Sequence, residues 1–290
     1  MDAVAVLDLI RSRGADAVVH SGDFDYGDDP DAWDAQIDAV LGADFPYFAS
    51  VGNHDESAWE GPAGYQAKLE ARLRRIGIAW EGSLGVAAHI DWQGLSMVFV
   101  SPGIFQDGDT ESAPYLREHF AHSGCLWRVA SWHKTQRLMQ TGGKGDAVGW
   151  SSYEEARRAG AIIATAHEHS YARTHLLSAF STQSVAGPIP TGSSLPIALA
   201  QDDPTTPADE GRSFAFVSGL GGRSIRDQAV TGPWFSSVYS ADQGARYGAL
   251  FCTFHVRGDP RLAHCWFEDV DGNVPDELFV AAPKAGSARD

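Results

Sequence analysis

Aspartate, asparagine and histidine recur at four points where an apolar run gives way to polar residues: Gly22-Asp23, Gly52-Asn53-His54-Asp55, Trp132-His133 and His167-Glu168-His169. Singly, each has a plain structural explanation. Gly-Asp and Asn-His-Asp are ordinary turn chemistry, and an isolated buried histidine is usually a hydrogen-bonded core residue. Together they supply hard carboxylate and amide oxygens beside borderline imidazole nitrogens, the donors that divalent and trivalent transition ions take. A carboxylate at Asp23 can bridge two ions, and His167 and His169, alternating on an extended segment, can diverge to one ion each.

Rival chemistries for the same residues fail on spacing. His167-Glu168-His169-Ser170-Tyr171 is not the zinc-protease HExxH, because Tyr171 stands where the second histidine must be. Gly143-Lys144 looks like the end of a phosphate loop, but Gly145 follows where Ser or Thr should hold magnesium. The chain has no GxSxG for a serine hydrolase and no GxGxxG after a strand.

The elements that must position these residues alternate along the chain. Val4, Leu7 and Ile10 stand at helical spacing before Gly14, and Asp2 reads as the cap of that helix. AVVH is a strand entering Gly22-Asp23. Pro30 opens a helix with Trp33, Ile37, Val40 and Leu41 on one face. FPYFAS enters the Asn53 loop, YQAKLEARLRRIG is a helix, and DWQG turns between VAAHI and LSMVFVS. A helix near 112–122 precedes the strand ending at His133; Ser151 and Glu154 stand at capping-box spacing; AIIATA ends at His167. His20 and His89 fall within strands and read as structural. The pattern predicts an α/β fold, a sheet covered by helices with the site at the carboxyl ends of strands. Residues 1–290 read as a single domain, with a loop-rich excursion over 183–213 and a β-hairpin over 247–269 closed by RGDPR.

Composition bounds the function. The 290 residues are 43% hydrophobic and 21% charged, an ordinary globular balance that excludes a disordered or fibrous chain. No run approaches the roughly 18 apolar residues of a membrane span, and the N-terminus lacks the pattern of a signal peptide. With 22 Lys and Arg against 38 Asp and Glu, the formal charge of −16 repels phosphate backbones and anionic lipid, so neither nucleic acid nor membrane is an expected partner. It leaves room for a small phosphorylated substrate whose charge a metal neutralises.

In order, Gly22-Asp23-Phe24-Asp25-Tyr26, Gly52-Asn53-His54-Asp55, His133 and Ala166-His167-Glu168-His169 resemble the blocks of the calcineurin-like metallophosphoesterases, with Ala166 where that family usually has Gly. Gly-Asp-x-x-Tyr, with Tyr26, looks like the purple acid phosphatase type. The likeness covers about residues 1–175. It implies a metallophosphoesterase-like sheet sandwich flanked by helices, holding two transition-metal ions, iron, zinc or manganese. It further implies that Asp23 bridges the metals, that Asn53, His133 and His167 complete one site, and that His169 with Tyr26 serves the other. His54 would face the phosphate, oriented by Asp55, while a metal-activated hydroxide attacks phosphorus.

One block of the family is missing from the sequence given. Members open with a strand ending in Asp-x-Gly or Asp-x-His, whose aspartate is a metal ligand; here the sequence opens on the following helix. Either such a strand lies upstream, where an export signal could precede it, or the chain is a degenerate, inactive or single-metal ligand-binding member. In the sequence as given, the site of Asn53, His133 and His167 is expected to be better formed than that of Tyr26 and His169, which lacks its aspartate.

If Arg257 to Pro260 close the hairpin, Cys252 faces Cys265, with Leu250, Phe254, Ala263 and Phe267 on the same, core-side face. The preferred reading is two buried thiols. The alternative is a disulfide, which would suit the exported setting common among similar phosphatases.

Overall fold

The computed structural model describes residues 3–186, 193–198 and 211–282. Asp2 and much of the 183–213 excursion lie outside them. In chain order the elements are α1 (Ala3–Ser12), β1 (Val18–His20), α2 (Pro30–Val40), β2 (Tyr47–Ala49), α3 (Tyr65–Arg75), β3 (Glu81–Ser83), β4 (Ala87–Trp92), β5 (Leu95–Val100), α4 (Ala113–Ala121), β6 (Trp127–Ser131) and α5 (Ser151–Arg158). There follow β7 (Ile162–Thr165), β8 (Tyr171–Thr174), β9 (Leu177–Ala179), β10 (Ser184–Val185), β11 (Leu195–Pro196), β12 (Ala215–Ser218), β13 (Phe235–Tyr239), β14 (Gly248–Phe254), β15 (Leu262–Asp269) and β16 (Asp276–Ala281). None of the described helices is long and apolar enough to cross a membrane.

Local chemistry accounts for most element ends. Asp29 caps α2 by accepting from Ala32 N–H at 2.9 Å, and Pro30 takes the first turn. Gln93 and Gly94 both have positive φ, the pair a type I′ turn needs between β4 and β5. Two expectations fail. In α1 the buried stripe is Val6, Leu7 and Ile10, while Val4 is 47% exposed, because the helix rests against Phe251 of β14 on the Val6 side. Ser151 does not cap α5: Trp150 occupies that position, and the Glu154 carboxylate accepts from Phe180 and Ser181 N–H while pairing with Arg157. A tertiary loop has outcompeted the local box.

An eight-stranded sheet, ordered β13-β8-β12-β7-β6-β5-β4-β3, forms the main layer, parallel through β5, β6, β7 and β12 and antiparallel towards both edges. On one face, Leu116 and Phe120 of α4 and Tyr153 and Ala156 of α5 pack on Val98, Ala130 and Ile163. On the other, Trp127 and Ile162 meet Ala263, Cys265 and Val280 of a four-stranded sheet, β11-β16-β15-β14. This is the expected sandwich with flanking helices. Buried Arg173 on β8 clamps Asp276 of β16 through two hydrogen bonds of 2.6 and 2.8 Å, tying the two sheets together.

The hairpin register is the one the sequence implies, with Cys252 opposite Cys265. The two are joined by a disulfide, against the preferred reading of free thiols, and Cys125 is the free cysteine. Strand alternation places both sulfurs on one face but says nothing of their oxidation state.

β1 and β2 form a separate parallel pair. The second edge of β1 and the second edge of β14 are unpaired among the described strands. Both strands line a cavity of about 1000 Å³ that runs past Val129, Ile162 and Phe216 to Asp23, His133 and His167.

Candidate metal centre

The carboxyl ends of β1, β2, β6 and β7 deliver the chemistry-bearing residues to one place. Two parallel pairs make this convergence possible, because parallel strands end on the same side. The β1 and β2 loops approach so closely that a Cβ on Gly52 would lie 2.1 Å from Asp23 N, and one on Gly22 would lie 2.6 Å from Gly52 N. Asp23 and His167 both hold left-handed backbone, φ 60° and 66°. Such conformations cost about 1–3 kcal/mol each and persist where surrounding structure over-determines them.

Asp55 is the organiser of these loops. Fully buried, its carboxylate accepts from Gly52 N–H at 2.7 Å, Phe24 N–H at 2.8 Å and Asp23 N–H at 2.9 Å. Burial pushes its pKa up to about 7, against the pull of those N–H groups. Asp55 thereby holds the backbone of both loops and fixes where Asp23 points. His54 is exposed, its N–H donates to Asp23 Oδ1 at 3.1 Å, and its ring lies 4.5 Å from that of Tyr26.

Donor atoms of Asp23, His133 and His167 lie within 4.8 Å of one another. His133 Nδ1–H donates to the Ser21 carbonyl at 2.7 Å, which turns Nε2 towards Asp23 Oδ1 at 3.2 Å and His167 Nδ1 at 3.1 Å. A backbone acceptor behind a histidine is the usual orienting device for a metal ligand. Asn53, between Gly52 and His54, has Oδ1 buried with no hydrogen-bond partner among the described residues. An orphaned amide oxygen costs roughly 1–3 kcal/mol unless something takes it, and a cation would. On the other side of Asp23, Oδ2 accepts from the Tyr26 hydroxyl at 3.2 Å, and that hydroxyl lies 3.2 Å from His169 Nε2. His169 Nδ1 is held by Ser224 Oγ. The donor set therefore fits metal, with Asp23 between two groups of donors.

Electrostatics agree with that fit. Burial opposes the charge on Asp23, but His133 and the His54 N–H hold its pKa well below the usual carboxylate range. Burial, then His133 and Lys144, push His167 down, and burial, then Arg226 and Lys144, bring His169 to about 4. Both imidazoles are therefore held neutral at pH 7, the form that can bind a cation. Burial and Asp23 raise Tyr26, so its phenol keeps its proton until a cation displaces it.

Several groups at the centre escaped the sequence reading. Lys144 Nζ donates to His167 Nδ1 at 2.9 Å, and burial lowers its pKa to about 8. The Arg223 guanidinium stacks 4.2 Å over the Tyr26 ring, and Arg226 pairs at 3.4 Å with fully buried Glu168. The signals were the Gly-rich loops at 142–145 and 219–222, which look like generic turns until the fold brings them here. His20 sits inside β1, its Nδ1 2.9 Å from the Tyr47 hydroxyl, and packs on Phe24.

A family model described as calcineurin-like phosphoesterase matches residues 2–171. Similar solved structures include the purple acid phosphatase PPD1 isolated from yellow lupin (Lupinus luteus) seeds, at TM-score 0.68 and 15% identity, covering 99% of this chain and 52% of that one. GAP50, the anchor in the inner membrane complex of Plasmodium, is similar at TM-score 0.54 and 11% identity, with 99% and 84% covered. PhoD is similar at TM-score 0.51 and 12% identity, with 98% and 70% covered. At such identities the likeness is one of fold, and the chain spans about half the length of the lupin protein. No curated protein matches the chain.

Proposed function

The chain belongs to the calcineurin-like phosphoesterase family, and we propose that it hydrolyses phosphomonoesters or related small phosphate esters, using transition-metal ions such as iron, zinc or manganese. The observation that carries this reading is the convergence of Asp23, His133 and His167 on one point, with Tyr26 and His169 on the far side of Asp23 and a buried Asn53 oxygen in the neighbouring loop that lacks a partner among the described residues. Bound there, the ions would neutralise phosphate charge and acidify a water.

The remaining steps fall to the chain's own residues. Lys144, Arg223 and Arg226 place three cations around the centre of an otherwise acidic protein, which favours entry of a phosphate dianion. His54, exposed beside Tyr26, would donate a proton or positive charge to the leaving oxygen. Asp55 keeps Asp23 aimed, and Ser21 keeps the His133 ring turned.

A second reading is a member of the same family that binds metal or ligand without turnover. Assaying a chromogenic phosphomonoester with manganese, zinc or iron, in this chain and in one extended upstream, decides between the readings. Turnover in either supports the enzyme; none in both leaves the binding module.

A further inference from the structure

A second group of metal donors lies away from the centre. Glu81 on β3 and His89 on β4 are direct cross-strand partners, and His119 projects from the last turn of α4. Their donor atoms lie within 4.8 Å of one another, with Glu81 Oε2 at 3.8 Å from His89 Nδ1 and 3.6 Å from His119 Nδ1. These separations are too long for hydrogen bonds, yet close to the roughly 3.3–3.5 Å between ligands of one zinc ion bound at about 2.0–2.2 Å.

The far side of His89 shows which way it is set. Its Nε2 lies 3.0 Å from Asp91 Oδ1 and 2.9 Å from Ser96 Oγ. A carboxylate only accepts, so Nε2 carries the hydrogen and, in the neutral ring, Nδ1 presents its lone pair to Glu81 and His119. A carboxylate behind a histidine whose other nitrogen meets further donors is the arrangement that orients zinc ligands. His119 is held in turn by Tyr115, whose ring packs on it in a tilted arrangement with centroids 4.1 Å apart, and whose hydroxyl is buried with no hydrogen-bond partner among the described residues.

We propose that Glu81, His89 and His119 form a separate site for one zinc-like divalent ion, completed by water. β3 is an edge strand of the eight-stranded sheet, and β4 and β5 stand between it and the strands that end at His133 and His167. An ion here clips that short, exposed edge to α4, in a position where an unprotected edge invites pairing with another chain. The role is structural, independent of hydrolysis at the other centre.

Zinc alone is the probe. Parent protein and the variants His119→Gln and Glu81→Gln are saturated with zinc, passed through a desalting column and counted by elemental analysis, with circular dichroism confirming the fold. Glu81 is exposed, so its replacement leaves packing intact. The parent is expected to retain one zinc per chain more than either variant, and zinc is expected to slow hydrogen exchange of the β3 amides in the parent alone. Equal zinc counts in parent and folded Glu81→Gln, or equal β3 protection, would overturn the site. Failure of phosphatase activity bears on neither result.

Discussion

His133 Nε2 and His167 Nδ1 face each other at 3.1 Å, with Asp23 Oδ1 3.2 Å from the first. His133 spends its Nδ1 hydrogen on the Ser21 carbonyl, and His167 Nδ1 receives Lys144 Nζ, which can only donate. Three acceptors thus meet at one point, which a metal ion would satisfy.

Tyr26 gives the second group of donors an optical signature. Its hydroxyl touches both Asp23 and His169, and Arg223 over the ring favours the phenolate. Ferric-loaded protein is expected to show phenolate-to-iron charge-transfer colour, and Tyr26→Phe to lose it while keeping iron at the His133 group. A colourless ferric protein would make Tyr26 a packing residue.

Asp276 serves both a buried arginine and a buried phenol: Arg173 clamps it, and the Tyr171 hydroxyl donates to it at 2.6 Å. Removing one member of a buried pair strands the other, which typically costs 3–5 kcal/mol. Asp276→Ala should lose about that much in denaturant unfolding, with little change at the metal centre. A loss below about 1 kcal/mol would mean that water replaces the carboxylate.

Acid sensitivity should come from Glu154, Glu268 and Asp269. Burial opposes charge on Glu154 and Asp269, but the Ser181 N–H with Arg157, and Asn273 with Tyr239, more than offset it; Arg13 holds Glu268 low. Folded-state pKa values below the unfolded ones stabilise the protein above the usual carboxylate range, about pH 4, and that stability is lost as pH falls through the folded values. The difference in stability between parent and Glu154→Gln is expected to be full at neutral pH and to close in acid. A difference independent of pH would assign the effect to packing.

Thiol titration under denaturing, non-reducing conditions should find one reactive thiol, Cys125, and three after reduction. Three before reduction would mean that Cys252 and Cys265 are not bonded in the protein as made. A structural disulfide persists in oxidising compartments, so the titration also bears on where the protein works.

The sequence was most legible where chemistry and chain geometry coincide. Asp23, Asn53, His133 and His167 each follow an apolar run, so strand ends could be read as site positions before any contact was known. Lys144, Arg223 and Arg226 were illegible because loops place them, and a loop's path is set by what it packs on rather than by periodicity. Asp55 carries a role the sequence did not show, because the three backbone N–H groups it accepts from belong to two segments that only the fold brings together. Helical spacing put Val4 on the buried face, yet α1 turns Val6 inward because β14 lies on that side.

Metal stoichiometry in three variants tests the central claim most directly. Elemental analysis after loading and desalting should show that Asp23→Ala and His167→Ala lose the tightly held metal of the centre. His54→Ala should keep it and lose roughly 10² to 10⁴ in turnover, as removal of a general acid or charge stabiliser does. Equal metal content in the parent, Asp23→Ala and His167→Ala would contradict a metal centre at these strand ends.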